Sequence, residues 1–164
     1  MFNIVLVEPD IPQNTGTIGR LCVNMGATLH LVKPLGFDID DKAVKRAGLD
    51  YWHLVDLVIW DNLKDFLAVH PVDSQTYMAT TKTDKLYWEA EFKQGDYILF
   101  GSETRGIDEK LLLKYTKQCI TIPMGEGGRS LNLGLSVGIV AYEALRQNYD
   151  GFKKITIPNG SGQD

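Results

Sequence analysis

The sequence predicts an α/β fold in which a mainly parallel sheet is flanked by helices. Two observations carry this. Short β-branched apolar runs alternate with longer segments whose apolar residues recur every three or four positions. Most apolar runs also end at or next to a proline, a glycine or an acid, the punctuation of a strand that stops at a loop. With 164 residues, 44% hydrophobic and 23% charged, the chain can bury one ordinary core and lacks the composition of a disordered, collagenous or membrane protein. No internal repeat or linker interrupts it, so residues 1–164 are expected to form a single domain with a loose polar tail from about 151.

Asn3-Ile4-Val5-Leu6-Val7 reads as a buried strand closed by Glu8-Pro9-Asp10. A loop over 11–14 should lead into a helix from about Thr15 to Met25, with Ile18, Leu21, Cys22 and Met25 on one face and Gly26 ending it. Thr28 to Val32 is a second strand, stopped by Lys33-Pro34. Asp41 to Ala47 is expected to be helical, Leu57 to Trp60 a strand, Asn62 to Val69 a helix, and Thr76 to Ala79 a strand. Asp96 to Phe100 is another strand, followed by a helix over Asp108 to Tyr115 capped by Asp108, and a strand over Gln118 to Ile122. A long closing helix runs from about Asn132 to Asn148.

Composition narrows the function. Cys22 and Cys119 have no paired spacing and no Cys/His cluster around them, so they read as buried small hydrophobes rather than metal ligands, and no metal is expected. Apolar runs fall far below the roughly 18 residues of a spanning helix, and residues 1–8 lack a signal-peptide pattern, so a cytoplasmic location without membrane contact is expected. The net charge of −4 runs against general nucleic-acid binding but leaves room for a local basic patch.

Parallel sheets bind ligands at the carboxyl ends of their strands, and three loops there are unusual. Pro12-Gln13-Asn14-Thr15-Gly16-Thr17-Ile18-Gly19-Arg20 offers a glycine-bearing entry to a helix, suggesting an anion site. It lacks the full dinucleotide fingerprint, and the second strand ends at Lys33 where an acid would be needed. Arg20 falls inside an otherwise apolar helix, where it could also be a solvated arginine. Leu99-Phe100-Gly101-Ser102-Glu103-Thr104-Arg105-Gly106 exposes backbone beside an acid and a base, with Gly101 placed to let a ligand approach. A plain turn with a surface Glu/Arg pair is the alternative. Ile122-Pro123-Met124-Gly125-Glu126-Gly127-Gly128-Arg129-Ser130-Leu131-Asn132 takes an apolar strand through glycines to the mouth of a helix. Such a loop could wrap an adenosine, although Ser130 and Asn132 are also capping types.

In this order the three segments resemble the SpoU-like branch of the SPOUT methyltransferases over nearly the whole chain. The resemblance rests on Asn14, Gly16 and Arg20, on Phe100, Gly101, Glu103 and Gly106, and on Ile122-Pro123-Met124, Ser130-Leu131-Asn132 and Tyr142-Glu143. The opening N-I-V-L-x-E-P-x-I-P-x-N-T-G looks most like the tRNA wobble-nucleotide 2′-O-methyltransferases. One departure is Gly134, where many members carry a serine.

The resemblance implies a SPOUT fold with a C-terminal trefoil knot, a homodimer, and methyl transfer from S-adenosylmethionine to the ribose 2′-hydroxyl of a wobble cytidine or 5-modified uridine in tRNA. Ribosomal RNA as substrate, or RNA binding without catalysis, are the readings it leaves open. By motif position, Ala79, Gly101, Ile122, Met124, Ser130, Leu131 and Asn132 would hold S-adenosylmethionine, and Arg20, Asn14 and Glu103 would form the catalytic set. Arg20 would act either as an unusually activated base or as an electrostatic stabiliser, since a guanidinium is almost never deprotonated. Leu133, Leu135, Val137, Ile139, Val140 and Ala141 on the closing helix would help form the dimer, or simply fill the core. Lys33, Lys42, Lys45, Arg46 and Lys82 are candidates for phosphate contact, and Tyr51 and Trp52 for stacking on a base or for the core. A Rossmann-type nucleotide enzyme and a flavodoxin-like module are the remaining rivals. Both lack their phosphate loops here.

Overall fold

A computed structural model describes residues 1–39 and 49–151. The helix expected over 41–47, its cations Lys42, Lys45 and Arg46, and the tail after Gly151 lie outside these residues. The described chain runs β1 (Asn3–Val7), α1 (Pro12–Met25), β2 (Thr28–Val32), β3 (Leu57–Trp60), α2 (Leu63–Val69), β4 (Thr76–Ala79), β5 (Tyr97–Phe100), α3 (Glu109–Lys114), β6 (Cys119–Ile120) and α4 (Leu133–Gln147). Short 3₁₀ turns occupy Leu49–Leu54, Tyr87–Glu89, Thr116–Gln118 and Tyr149–Gly151.

The strands form a sheet of order β3-β2-β1-β5-β4-β6, and every pairing is parallel. Alternation along β1 explains how both faces are filled. Ile4 and Leu6 point into one apolar cluster with Ile18, Cys22 and Met25 of α1 and Val137, Val140, Ala141 and Ala144 of α4. Val5 and Val7 point into the other, with Phe66 of α2, Leu112 of α3, Met78 and Cys119. Both cysteines are free and buried, and desolvation pushes the Cys22 thiol up to about 12, so it stays neutral.

Two elements differ by more than a residue at an end from the expectation. The loop expected over 11–14 is the first turn of α1, which begins at Pro12. A proline fits there because the first helical amides have no intrahelical acceptor to lose. The last strand is shorter than Gln118–Ile122. Gln118 belongs to a 3₁₀ turn, Thr121 makes only an isolated bridge to Leu86, and Ile122 has left the sheet. Caps follow the sequence elsewhere. The Asn62, Asp108 and Asn132 side chains accept from the amides of Asp65, Lys110 and Leu135, and Gly26 ends α1 at φ 64°.

The stripe assigned to dimer formation divides on α4. Leu133, Val137, Val140 and Ala141 are buried in the protomer's own core, so they cannot meet a partner. Leu135 and Tyr142 are exposed, and Ile139 is half-buried. That split is the ordinary result of a helix whose apolar residues exceed one face.

Candidate active site

The chain leaves β1 toward β2 and β3 on one side and returns to fill β5, β4 and β6 on the other. Parallel sheets open a crevice where the order reverses, here beyond the ends of β1 and β5. A cleft of about 500 Å³ opens there, walled by the segments after β4, β5 and β6 and by the first turn of α1.

One wall is built around Glu103. Its carboxylate accepts from the Asp10 amide at 2.7 Å, the Ile11 amide at 3.2 Å and the Asn14 side-chain amide at 2.9 Å. The Ile11 side chain cannot cap α1, and the Glu103 carboxylate, just after β5, instead gathers the two amides that lead into the helix, where the dipole also favours negative charge. Asn14, nearly buried, accepts in turn from Asn132 Nδ2 at 3.0 Å, and Asn132 Oδ1 caps α4 at Leu135. This relay fixes both amide orientations and ties together segments from the three motifs. Glu103 and Asn14 are thus committed to the framework of the cleft they line.

Beside this relay, Glu8 takes a left-handed backbone, φ 53°, as the chain leaves β1. Thr104 Oγ1 donates to Asp10 Oδ2 at 2.6 Å, and this bond holds the Asp10 carboxyl below the usual range, aided by the Arg105 charge. Arg105 Nη2 stands 3.3 Å from Glu8 Oε2 and 3.8 Å from Asp10 Oδ1, with its side chain mostly exposed. The alternative of a surface pair between Glu103 and Arg105 is therefore not formed. Gly101 also has a different reason from ligand approach: a Cβ there would fall on the Gly106 carbonyl carbon and the Ile107 amide nitrogen.

The opposite wall is open. Ile122 and Met124 are half-buried, Ser130, Leu131 and Asn132 are exposed, and a Cβ at Gly125 or Gly127 would meet nothing within 4 Å. At Gly134, where a serine was expected from the resemblance, a Cβ would stand 3.2 Å from Asn132 Oδ1, so glycine leaves room for the cap.

All seven residues assigned to the cofactor, Ala79, Gly101, Ile122, Met124, Ser130, Leu131 and Asn132, line this cleft together with Asn14 and Glu103. Arg20 does not. Six residues beyond Asn14, it lies about 9 Å farther along α1 and about 240° round it. Its guanidinium carbon sits 5.4 Å from the centroid of the Tyr51 ring. Gly16 and Gly19 are buried inside α1 rather than in a turn, and a Cβ at Gly19 would press on Trp52 at 2.8 Å. Close packing, not anion binding, explains Gly19, and Trp52 joins the core. Lys33 is paired with Asp61 at 3.1 Å, while Lys82, 3.4 Å from Glu109, lines the cleft. Sequence reasoning missed Asp10, Thr104 and Arg105 as one cluster, because their spacing means nothing until β1 and β5 are known to be neighbours. Among the described residues no group of His, Cys, Asp and Glu could hold a metal, and no helix is long and apolar enough to cross a membrane.

A parallel sheet with glycine-bearing loops gathered at its switch point defines a ligand-binding α/β protein of the methyltransferase type named by its motifs. The chain belongs to the SpoU rRNA Methylase family, whose model matches residues 1–142. It is 43% identical over 149 residues to a tRNA (cytidine(34)-2′-O)-methyltransferase of Burkholderia pseudomallei, covering 90% of this chain and 96% of that protein. A protein of the same name from Yersinia pestis is 45% identical over 152 residues, with 90% and 94% covered. A solved structure described as giving insights into the 2-OH methylation of C/U34 on tRNA superposes with a TM-score of 0.86 at 42% identity, covering 92% of this chain and 97% of the other.

Proposed function

We propose that this protein transfers a methyl group from S-adenosylmethionine to the ribose 2′-hydroxyl of the wobble cytidine or 5-modified uridine in tRNA anticodons. The observation that carries this is the Glu103–Asn14–Asn132 relay, which draws the three family motifs to one cleft. The relatives named for cytidine 34 supply the substrate. The cleft fits the methyl donor: apolar Ile122, Met124 and Leu131 can cover a purine, and the glycine loop has space to close on it. When bound, S-adenosylmethionine supplies an electrophilic methyl group on sulfur.

The protein's own part is to position and to stabilise charge. Ala79, Gly101, Ile122, Met124, Ser130, Leu131 and Asn132 hold the donor, while Asn14 and Glu103 keep the wall in shape. Arg20 stabilises negative charge growing on the ribose oxygen, because its guanidinium is too basic to take the proton. Its place off the walls of its own cleft favours delivery from a second copy. We assign the dimer contact to the outer face of α4, with Leu135 and Tyr142, beside the exposed Thr17 of α1. The trefoil knot and a single cytoplasmic domain belong to the same reading.

The test is incubation with tritiated S-adenosylmethionine and total tRNA from a strain lacking the enzyme, with ribosomal RNA as a second arm. The labelled nucleoside is then mapped by mass spectrometry. Label in a 2′-O-methylated wobble nucleoside is expected. Label in ribosomal RNA alone would move the substrate, and failure to bind S-adenosylmethionine would remove the reading.

A further inference from the structure

The three arginines with described contacts are held in two different ways. Arg146 forms a two-pronged pair with Glu143, both bonds 2.8 Å, and Arg105 lies against Glu8 and Asp10. Arg20 has no carboxylate partner among the described residues, and its buried Nε finds no acceptor there. It meets the face of an aromatic ring instead, 5.4 Å from the Tyr51 centroid. The contact is built into the packing. The 3₁₀ turn Leu49–Leu54 docks on α1 where Gly19 lacks a side chain, with Trp52 seated on that glycine and Val55 3.3 Å from its Cβ position. Trp52 on Gly19 thereby brings the adjacent pair, Tyr51 and Arg20, together.

We infer that Tyr51 is a positioning residue for methyl transfer, orienting the Arg20 guanidinium through its ring where no carboxylate among the described residues neutralises the charge. This rests on the reading of Arg20 as the group that stabilises the ribose oxygen. A carboxylate would hold a guanidinium more firmly, but it would spend on itself the positive charge that the reaction needs. A ring quadrupole attracts the cation and cancels none of that charge. Tyr51 is 40% exposed, so it can serve this purpose without being a pillar of the core.

Single-turnover methyl transfer at saturating S-adenosylmethionine and tRNA tests this with Tyr51→Phe, Tyr51→Trp, Tyr51→Leu and Tyr51→Glu, alongside Arg20→Ala. The two aromatic variants should stay within about twofold of the parent, since the ring is kept. Tyr51→Leu should slow the step about three- to tenfold with both KM values and donor affinity unchanged. Tyr51→Glu should slow it at least as far, although a carboxylate can pair with Arg20. A parent rate for Tyr51→Leu or Tyr51→Glu, or equal losses in Tyr51→Phe and Tyr51→Leu, would overturn the inference. Should Tyr51→Leu fail to fold, the other three variants still decide. Loss of transfer in Arg20→Ala with a parent rate in Tyr51→Leu would remove the Tyr51 role alone, whereas a folded, active Arg20→Ala would remove the role of Arg20 as well.

Discussion

The two walls of the cleft are made from the same kinds of residue and are in opposite states. The segment after β5 is closed: Glu103 holds three donors, Thr104 holds Asp10, and the backbone of Gly106 and Ile107 lies on Gly101. The segment after β6 is open. Its internal bonding includes the Gly128 amide to the Gly125 carbonyl at 2.8 Å, and Gly125 and Gly127 face empty space. A wall satisfied in advance spends no ordering free energy when a ligand arrives, while an open loop does and can mould itself to the ligand. One wall therefore fixes where the reaction occurs, and the other encloses the donor.

Substitutions can break or sharpen this contrast. The largest effect is expected from Gly101→Ala, because the added methyl meets backbone that cannot move aside. We expect a loss on the order of 4 kcal/mol, measured by urea denaturation, with donor affinity lost in calorimetry. A stable, donor-binding Gly101→Ala would mean that the closed wall is not rigid.

A control lies on the far side of the sheet. His30 is buried, and its Nδ1 accepts from Trp60 Nε1 at 3.1 Å, which leaves Nε2–H to donate to Asn3 Oδ1 at 3.2 Å. Burial first, then the neighbouring His70, lowers its pKa from 6.5 to about 4. The folded state thus resists the proton that the unfolded chain accepts. The stabilisation is complete above pH 6.5 and falls as pH drops toward 4, by on the order of 3 kcal/mol. Melting of the parent and of His30→Gln across this range should show the parent losing its advantage in acid, with no change in donor affinity at neutral pH. A parallel decline in both proteins would assign the acid sensitivity elsewhere.

Glu103→Gln comes next. Its amide would keep one acceptor oxygen but turn an NH2 toward at least one of the three donors, so a cost of about 2 kcal/mol is expected, with slower methyl transfer as the α1 entrance loosens. Unchanged stability would show that the relay is not what closes the wall. The smallest effect on stability belongs to Gly127→Ala in the open wall, within about 0.5 kcal/mol of the parent. Donor affinity should nevertheless weaken severalfold, because the loop loses the freedom it needs to wrap. Equal affinity would show that Gly127 does not take part in enclosure.

Much of the fold was legible because its signals are local. The alternation of Ile4 and Leu6 with Val5 and Val7, the cap residues Asn62, Asp108 and Asn132, and the stop at Gly26 each act within one turn or one pleat. The loops that line the cleft were legible too, through their motif residues. What could not be read depends on chain segments meeting. Glu103 holds the Asn14 side chain at the entrance of α1 across 89 residues, and Asn132 reaches Asn14 across 118. Nothing local separates such partners from surface polars. Arg20 illustrates the limit best: its motif marks it as functional, yet only the helix geometry shows that it faces away from its own cleft.

The most direct measurement of a shared site is complementation between two variants inactive for different reasons. Arg20→Ala keeps the cleft, and Met124→Arg blocks the cleft at a half-buried position while keeping Arg20. Mixed one to one and allowed to exchange, they should regain about a quarter of the parental methyl transfer, since half the dimers are mixed and each holds one complete site. A mixture that exchanges subunits yet stays inactive would contradict an active site made from the cleft of one chain and Arg20 of another.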